Sequence, residues 1–302
     1  MAAIPVLPLA HPDAPAGAAA IVECASCGLR RLDPRPAADA AARYYAADHN
    51  AFVGRRRGPV RQRLWELLRD AAAGYARPGP LGRPLAALLG PLGRWAFDVT
   101  VPLSGAPRPR VLEVGSGYGD LLLYLAARGC DVTGVDRDPR ATAVARGLGL
   151  DVRTGTLAEQ AFPDATFDTA VLCHSLEHMS DPAVELRWVW RALRPGGRLH
   201  LAVPNGRAAD FRADGAAWEH LSFPLHLWLF DADTLTALVE RAGFRLLGPP
   251  RVTTGHRLIG RWLDEGASLG FAAATTRLAR RLRRRAGDRR SGDVVRLMAV
   301  RI

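Results

Sequence analysis

From residue 110 onward the chain alternates short β-branched apolar runs with longer segments whose apolar residues recur at helical spacing. This is the pattern of a parallel sheet covered by helices on both faces. "RVLEVG" (110–115) predicts a first strand, and "YGDLLLYLAARG" a helix that closes at Gly129. "DVTGVD" (131–136), "DVRTG" (151–155), "FDTAVLCH" (167–174) and "RLHLAVPN" (198–205) predict four more strands. Between them lie "PRATAVARGLG", with Pro139 in its first turn, and "DPAVELRWVWRALRPGG", which opens on Asp-Pro and stops on Pro-Gly-Gly. "DADTLTALVERAGF" reads as a capped helix, "RLLGPPRVTT" as a sixth strand and "DVVRLMAVRI" (293–302) as a seventh.

The first hundred residues lack this rhythm. "VRQRLWELLRDAAAGY" (60–75) sets Leu64, Leu68, Ala71 and Tyr75 on one helical face, and "RPGPLGRP" breaks the chain after it. The expected organisation is a mainly helical N-terminal cap on the substrate side, residues 1–105, followed by a sheet domain over 106–302. "SGAPRP" (104–109) links them, and an Arg-rich helical insert is expected at about 255–292.

Composition changes this picture little. A chain of 302 residues with 48% apolar content can bury a sizeable core. The net charge of +11 rests on 41 basic residues that are all Arg, which points to compositional bias more than to a selected binding surface. Eight of them fall in "RLARRLRRRAGDRR" (277–290); a solvated face is the ordinary reading, and weak peripheral contact with an anionic membrane is the alternative. No aromatic residue is interleaved there, so a nucleic-acid partner is not expected. Four cysteines make no disulfide framework, and "MAAIPVLPLAHPDAPAG" lacks the basic start of a signal peptide, so a cytoplasmic setting is expected. The apolar stretch 81–97 is interrupted by Arg83, Pro84, Pro91 and Arg94; it falls short of a membrane span and reads as a buried or interfacial helix pair.

The chemistry begins at "VLEVGSGYGD". A strand runs into Gly115, Ser116, Gly117 and Gly119 and then into a helix, so backbone can approach a ligand closely beside open N–H groups. A dinucleotide fingerprint spaces its third glycine one position later, and here residue 120 is Asp. Glu113, inside the strand, would repel a pyrophosphate but suits an ammonium or sulfonium. Asp136 lies 21 residues beyond Gly115, placed to accept hydrogen bonds from two ribose hydroxyls. A nucleoside with a cationic, amino-acid-like tail fits these features.

The motifs "VLEVGSGYGD", "VTGVDRDP", "FPDATFDTAVLCHSLEHMSDP", "ALRPGGRLHLAVPN" and "FDADTLTALVERAGF", in this order, resemble the class I S-adenosylmethionine-dependent methyltransferases. The resemblance implies an α/β, Rossmann-like doubly wound sheet of seven strands, parallel except for an antiparallel last strand. It implies S-adenosyl-L-methionine as cofactor, with Glu113 and the 115–119 loop at the methionine portion, Asp136 at the ribose, and Arg137 also in the cofactor site. Thr156, Leu157 and Cys173 complete the implied cofactor set, with backbone groups at 156–158 toward the adenine. The implied acceptor is a small molecule methylated on oxygen, such as a sugar, quinone or secondary metabolite. The alternatives are a non-catalytic nucleoside- or partner-binding domain and a membrane-peripheral enzyme acting on a lipid-linked acceptor. "CASCGLRRLDPRP" resembles the start of a subgroup in which an earlier Cys pair completes a zinc site; that pair is missing here, and no metal is expected at Cys24 and Cys27.

Methyl transfer to a hydroxyl needs a base. His174, His178 and His226 are the candidate catalytic side chains, since an imidazole with a pKa of about 6.5 accepts a proton near neutrality. His220 shares the apolar, aromatic setting of His226 in "WEHLSFPLHLWLF" (218–230). His174, Glu177 and His178 also match an H-x-x-E-H spacing found in zinc peptidases. That site needs both histidines on one helix face, whereas here a strand ends at the first of them. Glu177 and His178 are read as shaping the turn.

Overall fold

The computed structural model describes residues 3–9, 19–36, 59–75, 84, 87–91, 101, 107–253, 270–285 and 290–302. Its main sheet is built from β4 (Arg110–Val114), β5 (Asp131–Asp136), β6 (Asp151–Thr154), β7 (Phe167–Cys173), β8 (Leu193–Pro204), β10 (Phe244–Leu246), β11 (Arg251–Thr253) and β12 (Val294–Arg301). The order is β10-β12-β8-β7-β4-β5-β6; β4 to β8 run parallel, and β12 lies antiparallel between β8 and β10. This is the expected doubly wound sheet with an antiparallel end.

"RLLGPPRVTT", expected as one strand, forms two, β10 and β11, which both pair with β12. Pro249 and Pro250 lie between them, and two consecutive residues without an N–H cannot continue a ladder.

Helices cover both faces. α2 (Asp120–Ala126) and α3 (Pro139–Gly147) pack over Val111, Leu122, Leu125, Ala145 and Val152. α4 (Pro182–Ala192) and α6 (Ala232–Arg241) cover Leu112, Leu172, Leu186, Val189, Leu235 and Val239. Each fully buried Leu or Val contributes about 1.5–3 kcal/mol relative to exposure, which makes these two layers the main stabilising element. The helix starts follow from their caps. Asp138 accepts from the Arg140 N–H and Asp181 from Ala183 and Val184, each with Pro at the first helical position; Asp231 forms a capping box with Thr234.

The N-terminal region departs from the helical expectation. β1 (Ala3–Leu9), β2 (Ala19–Cys24) and β3 (Arg30–Asp33) form an antiparallel sheet completed by β9 (Trp228–Leu229), in the order β1-β2-β3-β9. Pro5 and Pro8 in "AIPVLPL" argue against a central strand, but β1 is an edge, where missing N–H groups are tolerated. This sheet packs Ile21, Leu32, Leu227 and Leu229 against Phe211 and Trp218, beside α5 (Ala209–Asp214). The lobe therefore draws on both sides of the boundary read at residues 105/106. Arg30 ties it down, donating to Glu23 at 2.8 Å and to the Gly206 carbonyl at 2.6 Å.

The expected helix at 60–75 is present as α1 (Pro59–Ala73), and α7 (Phe271–Arg285) lies within the expected Arg-rich insert. Residues 255–269 and 286–289 of that insert, most of the 81–97 helix pair and residues 104–106 of the linker lie outside the described residues. Among the described residues no helix is long and apolar enough to cross a membrane.

Candidate functional site

The carboxyl ends of β4 and β5 carry the glycine loop. The N–H groups of Gly115 and Ser116 both donate to the Val135 carbonyl, at 2.8 and 3.2 Å, which folds the loop over β5. Gly115 takes φ +78°, and a Cβ there would stand 2.3 Å from the Ser175 Cβ. Gly119, at φ +83°, meets the Leu150 side chain in the same way at 2.4 Å. At Gly117 (φ +51°) a Cβ would meet nothing within 4 Å, so this glycine faces open space. Asp136 shapes the same turn: its carboxylate accepts from the Gly117 N–H at 2.7 Å and from the Asp138 N–H at 2.8 Å. Each oxygen keeps a further lone pair for a hydroxyl. Burial raises the Asp136 carboxyl above its ordinary pKa, against the pull of these two N–H groups.

Glu113 lies beneath the loop, 6% exposed, with Oε2 lacking any hydrogen-bond partner among the described residues. Burial pushes its carboxyl up to about 8, Arg69 opposes the shift, and the nearby Asp136 and Asp120 add to it. The buried Ser116 Oγ likewise has no partner. An orphaned carboxyl beneath an open glycine turn, beside a second carboxylate, suits a nucleoside with a cationic tail and disfavours an anionic one. The residues present therefore fit S-adenosyl-L-methionine: Glu113 beside the charged tail, Gly115 to Gly119 along it, and Asp136 at the ribose.

The rest of the implied cofactor set is more scattered. Arg137 is exposed next to Asp136. The Thr156 N–H donates to Glu159 at 2.6 Å, and the buried Leu157 gives its N–H to Glu185, so these two N–H groups already have acceptors within the chain. Cys173 ends β7, half-buried against the α2 face of the sheet.

Next to the donor loop, β7 runs into His174, which takes the left-handed conformation (φ +55°) and gives its N–H to the Ala202 carbonyl at 2.8 Å. A non-glycine residue held there at a strand end is the kind of backbone strain that accompanies functional sites. Leu176–His178 forms a single 3₁₀ turn, so the two histidines of H-x-x-E-H share no helix face.

That turn is instead organised around Glu177, which is fully buried, with no partner within 3.5 Å of either carboxylate oxygen among the described residues. His174 Nδ1 stands 3.6 Å from Glu177 Oε1 and His226 Nε2 3.9 Å from it. The His178 and His226 rings meet edge to face with centroids 4.5 Å apart. Burial would raise the Glu177 carboxyl, but the three imidazoles, His174 foremost, hold it down at about 2. Burial and the neighbouring His178 push His226 down to about 3, so this imidazole is neutral. Its Nδ1 lies 2.7 Å from the His220 carbonyl, and His178 Nδ1 lies 3.1 Å from that of Leu225. A carbonyl only accepts, so the proton of each ring sits on Nδ1 and Nε2 carries the lone pair.

Among the described residues Glu177, His178 and His226 form the set that could hold a metal ion, with ligand atoms all within 4.8 Å of one another. The loop is tied to the N-terminal lobe as well: the Leu227 N–H donates to the Glu177 carbonyl and the Trp228 indole to that of Met179, both at 2.8 Å. Cys24 and Cys27 lie far along the chain in the β2–β3 turn, with the Cys24 thiol hydrogen-bonded to Ser26 at 3.1 Å and Cys27 exposed.

A strand, glycine turn and helix with an acidic residue ending the next parallel strand is the architecture of a Rossmann-like nucleoside site. A model of the family described as "Methyltransferase domain" matches residues 61–248. The chain belongs to this family. The methyltransferase domain is 38% identical over 149 residues to a ubiquinone biosynthesis O-methyltransferase of Xylella fastidiosa, covering 46% of this chain and 58% of the relative. It is 35% identical over 147 residues to a probable S-adenosylmethionine-dependent methyltransferase of Mycolicibacterium smegmatis, covering 45% and 52%. The chain thus spans little more than half the length of these relatives. Haemonchus contortus phosphoethanolamine N-methyltransferase 2, solved in complex with S-adenosyl-L-methionine, shares the fold at a TM-score of 0.50 and 17% identity, covering 78% of this chain and 56% of that one.

Sequence reading missed the contribution of α1. Asp70 accepts from the Tyr124 hydroxyl at 2.8 Å and pairs with Arg128, which fixes α1 on α2 and carries Arg69 to the edge of Glu113. The helical periodicity of 60–75 predicted the helix but not which residue it would deliver to the loop.

Proposed function

We propose that this protein is a class I methyltransferase that uses S-adenosyl-L-methionine to methylate a hydroxyl of a small acceptor, of the quinone, sugar or secondary-metabolite kind. The observation that carries this reading is the adjacency of an open glycine loop over Glu113 and Asp136 to an imidazole, His174, at the end of the next strand. The O-methyltransferase name of the Xylella relative supports oxygen as the acceptor atom.

When bound, S-adenosyl-L-methionine supplies an electrophilic methyl on a sulfonium, an excellent leaving group. The chain's own work is alignment, exclusion of water and removal of one proton. The Glu113 carboxylate and the loop backbone hold the donor tail, and Asp136 holds the ribose. His174 Nδ1 faces Glu177, which favours the proton on that nitrogen and turns Nε2 outward as the base that takes the acceptor's hydroxyl proton. Glu177 orients the ring and stabilises the imidazolium that results.

Formation of S-adenosylhomocysteine from S-adenosyl-L-methionine and a panel of phenols, catechols and sugars tests the reading. His174→Ala should lower turnover with a responsive acceptor by about 10²-fold or more while donor affinity stays within about threefold. Undiminished turnover in that variant removes His174 as the base; no donor binding by the unaltered chain removes the enzyme reading itself. The exposed Arg277 and Arg280 of α7 favour a second role in weak contact with anionic membranes, which liposome co-sedimentation at low and high salt decides.

A further inference from the structure

The turn between β2 and β3 holds Cys24 and Cys27, which take no part in the proposed methyl transfer. The Gly28 N–H donates to the Cys24 carbonyl at 2.9 Å, a bond that closes one helical turn. Gly28, at φ +72°, then leads the chain back toward β3, and the Cys24 N–H donates to the Leu29 carbonyl at 2.9 Å. Residues three apart on such a turn have Cβ atoms about 5–6 Å from one another on one face, so the two thiols stand side by side. A disulfide needs about 3.5–4.5 Å between Cβ atoms, which a small tightening of the turn supplies.

The turn is open where that bond would form and held at both ends. Cys27 is exposed and Cys24 half-buried, while Cys24 pairs with Ala3 at the end of β2 and Arg30 donates to the Gly206 carbonyl beyond the turn. The other two cysteines lie in the sheet domain, Cys130 buried and Cys173 half-buried. The Cys24 sulfur stands 3.1 Å from the Ser26 hydroxyl. That hydroxyl, the N–H groups of Ser26 and Cys27 and the Cys27 thiol hold the Cys24 thiol down at about 6, so at neutral pH it is the thiolate, the form that attacks. Two thiols make only half of a tetrahedral metal set, and among the described residues no third His, Cys, Asp or Glu joins them.

We infer that Cys24 and Cys27 form a thiol–disulfide exchange site for small-molecule disulfides of the glutathione kind, in which Cys24 attacks and Cys27 resolves. The Cys24 thiolate bonds to one sulfur of the small disulfide, whose S–S bond breaks and releases the first small thiolate. Cys27 gives its proton to water and attacks the Cys24 sulfur of the mixed disulfide, which expels the second. The protein dithiol is oxidised and the small disulfide is reduced to two thiols; an excess of small thiol reverses both steps.

Glutathione disulfide added to the full chain, followed by alkylation and peptide mass mapping, tests it. The unaltered chain should lose two hydrogens as a Cys24–Cys27 disulfide and release two glutathione thiols. Cys27→Ser should stop with one glutathione held on Cys24, and Cys24→Ser should slow the reaction by about tenfold or more. Alkylation of Cys24 in the unaltered chain should reach half its maximal rate at a pH of about 6. Each variant changes one atom on a surface turn, and equal melting temperatures check that the hairpin is kept. An unaltered chain that stays as a mixed disulfide, or Cys24→Ser that reacts as fast as the unaltered chain, overturns the inference. Zinc bound at one ion per two chains and lost in Cys24→Ser overturns it as well, since it would assign the pair to a metal shared by two copies.

Discussion

The two ends of the site are made in opposite ways. On the donor side the backbone does the shaping: three glycines with positive φ, N–H groups on carbonyls, and two acids that burial keeps above their ordinary pKa. On the proposed acceptor side the shape comes from side chains, with three imidazoles from two distant segments surrounding one buried acid held far below its ordinary pKa. The first side holds two largely buried acids above their ordinary pKa, which a cationic ligand would complement. The histidine side carries its own electrostatic partners, as the proposed proton transfer requires. Gly115 and Ser175 are the joint between them, in contact across the ends of adjacent strands.

The largest expected effect breaks that joint. In Gly115→Ala a Cβ would lie 2.3 Å from the Ser175 Cβ at φ +78°, and Ser175 cannot retreat easily because its hydroxyl donates to the Val114 carbonyl at 2.7 Å. Overpacking against near-backbone atoms plus left-handed strain should lower stability by about 3 kcal/mol and abolish donor binding. Denaturant unfolding measures it. Adding Ser175→Gly should recover the packing part and leave a deficit of about 1 kcal/mol from φ alone. A single Gly115→Ala variant of native stability would mean that the two ends are not in contact.

The second test sets the two acids against each other. Glu113 has its folded pKa raised from 4.5 to about 8, so its contribution to stability is fully present below pH 4.5 and is lost as pH rises through about 8. Glu113→Gln removes that loss: the variant should gain on the unaltered chain between pH 4.5 and 8, reaching about 2 kcal/mol or more at pH 8, while its affinity for S-adenosylhomocysteine falls. Glu177 has its folded pKa lowered from 4.5 to about 2, so its contribution is present above pH 4.5 and is lost as pH falls through about 2. Glu177→Gln should therefore lose stability near neutrality where Glu113→Gln gains it. Melting curves from pH 4 to pH 8 read both signs, and equal signs would erase the contrast.

This asymmetry also governs what the chain reveals before it is folded. The donor side is nearly contiguous: Glu113, the 115–119 loop and Asp136 fall within 110–136, and glycine, acid and strand periodicity together specify a turn. The sheet order follows from the same alternation. The acceptor side joins His174 and Glu177 to His226 across a loop set by β9 and the N-terminal lobe. No local pattern states that pairing. The same holds for Arg69, which reaches Glu113 only because Asp70 finds Tyr124 and Arg128 on α2. The β1–β3 sheet was hidden for another reason: Pro5 and Pro8 weaken any strand reading unless the strand is known to be an edge, and edge position is a tertiary fact.

The smallest expected effect separates shaping from occupancy within the donor loop. Gly117 has φ +51° and open space where a Cβ would go, in contrast to Gly115. Gly117→Ala should therefore cost only the left-handed preference, about 1 kcal/mol, with no packing penalty. The added methyl would occupy open volume on the side of the proposed donor, and the Gly117 N–H would stay on Asp136. Donor affinity should fall by about tenfold while the unfolding midpoint barely moves. The opposite outcome, full affinity with a large loss of stability, would place the ligand elsewhere and make the loop a structural turn. Measured beside Gly115→Ala, the variant asks of one loop whether its glycines are there for the neighbouring strand or for the ligand. The geometry assigns the first role to Gly115, and the variant tests the second at Gly117, where a Cβ meets no neighbour.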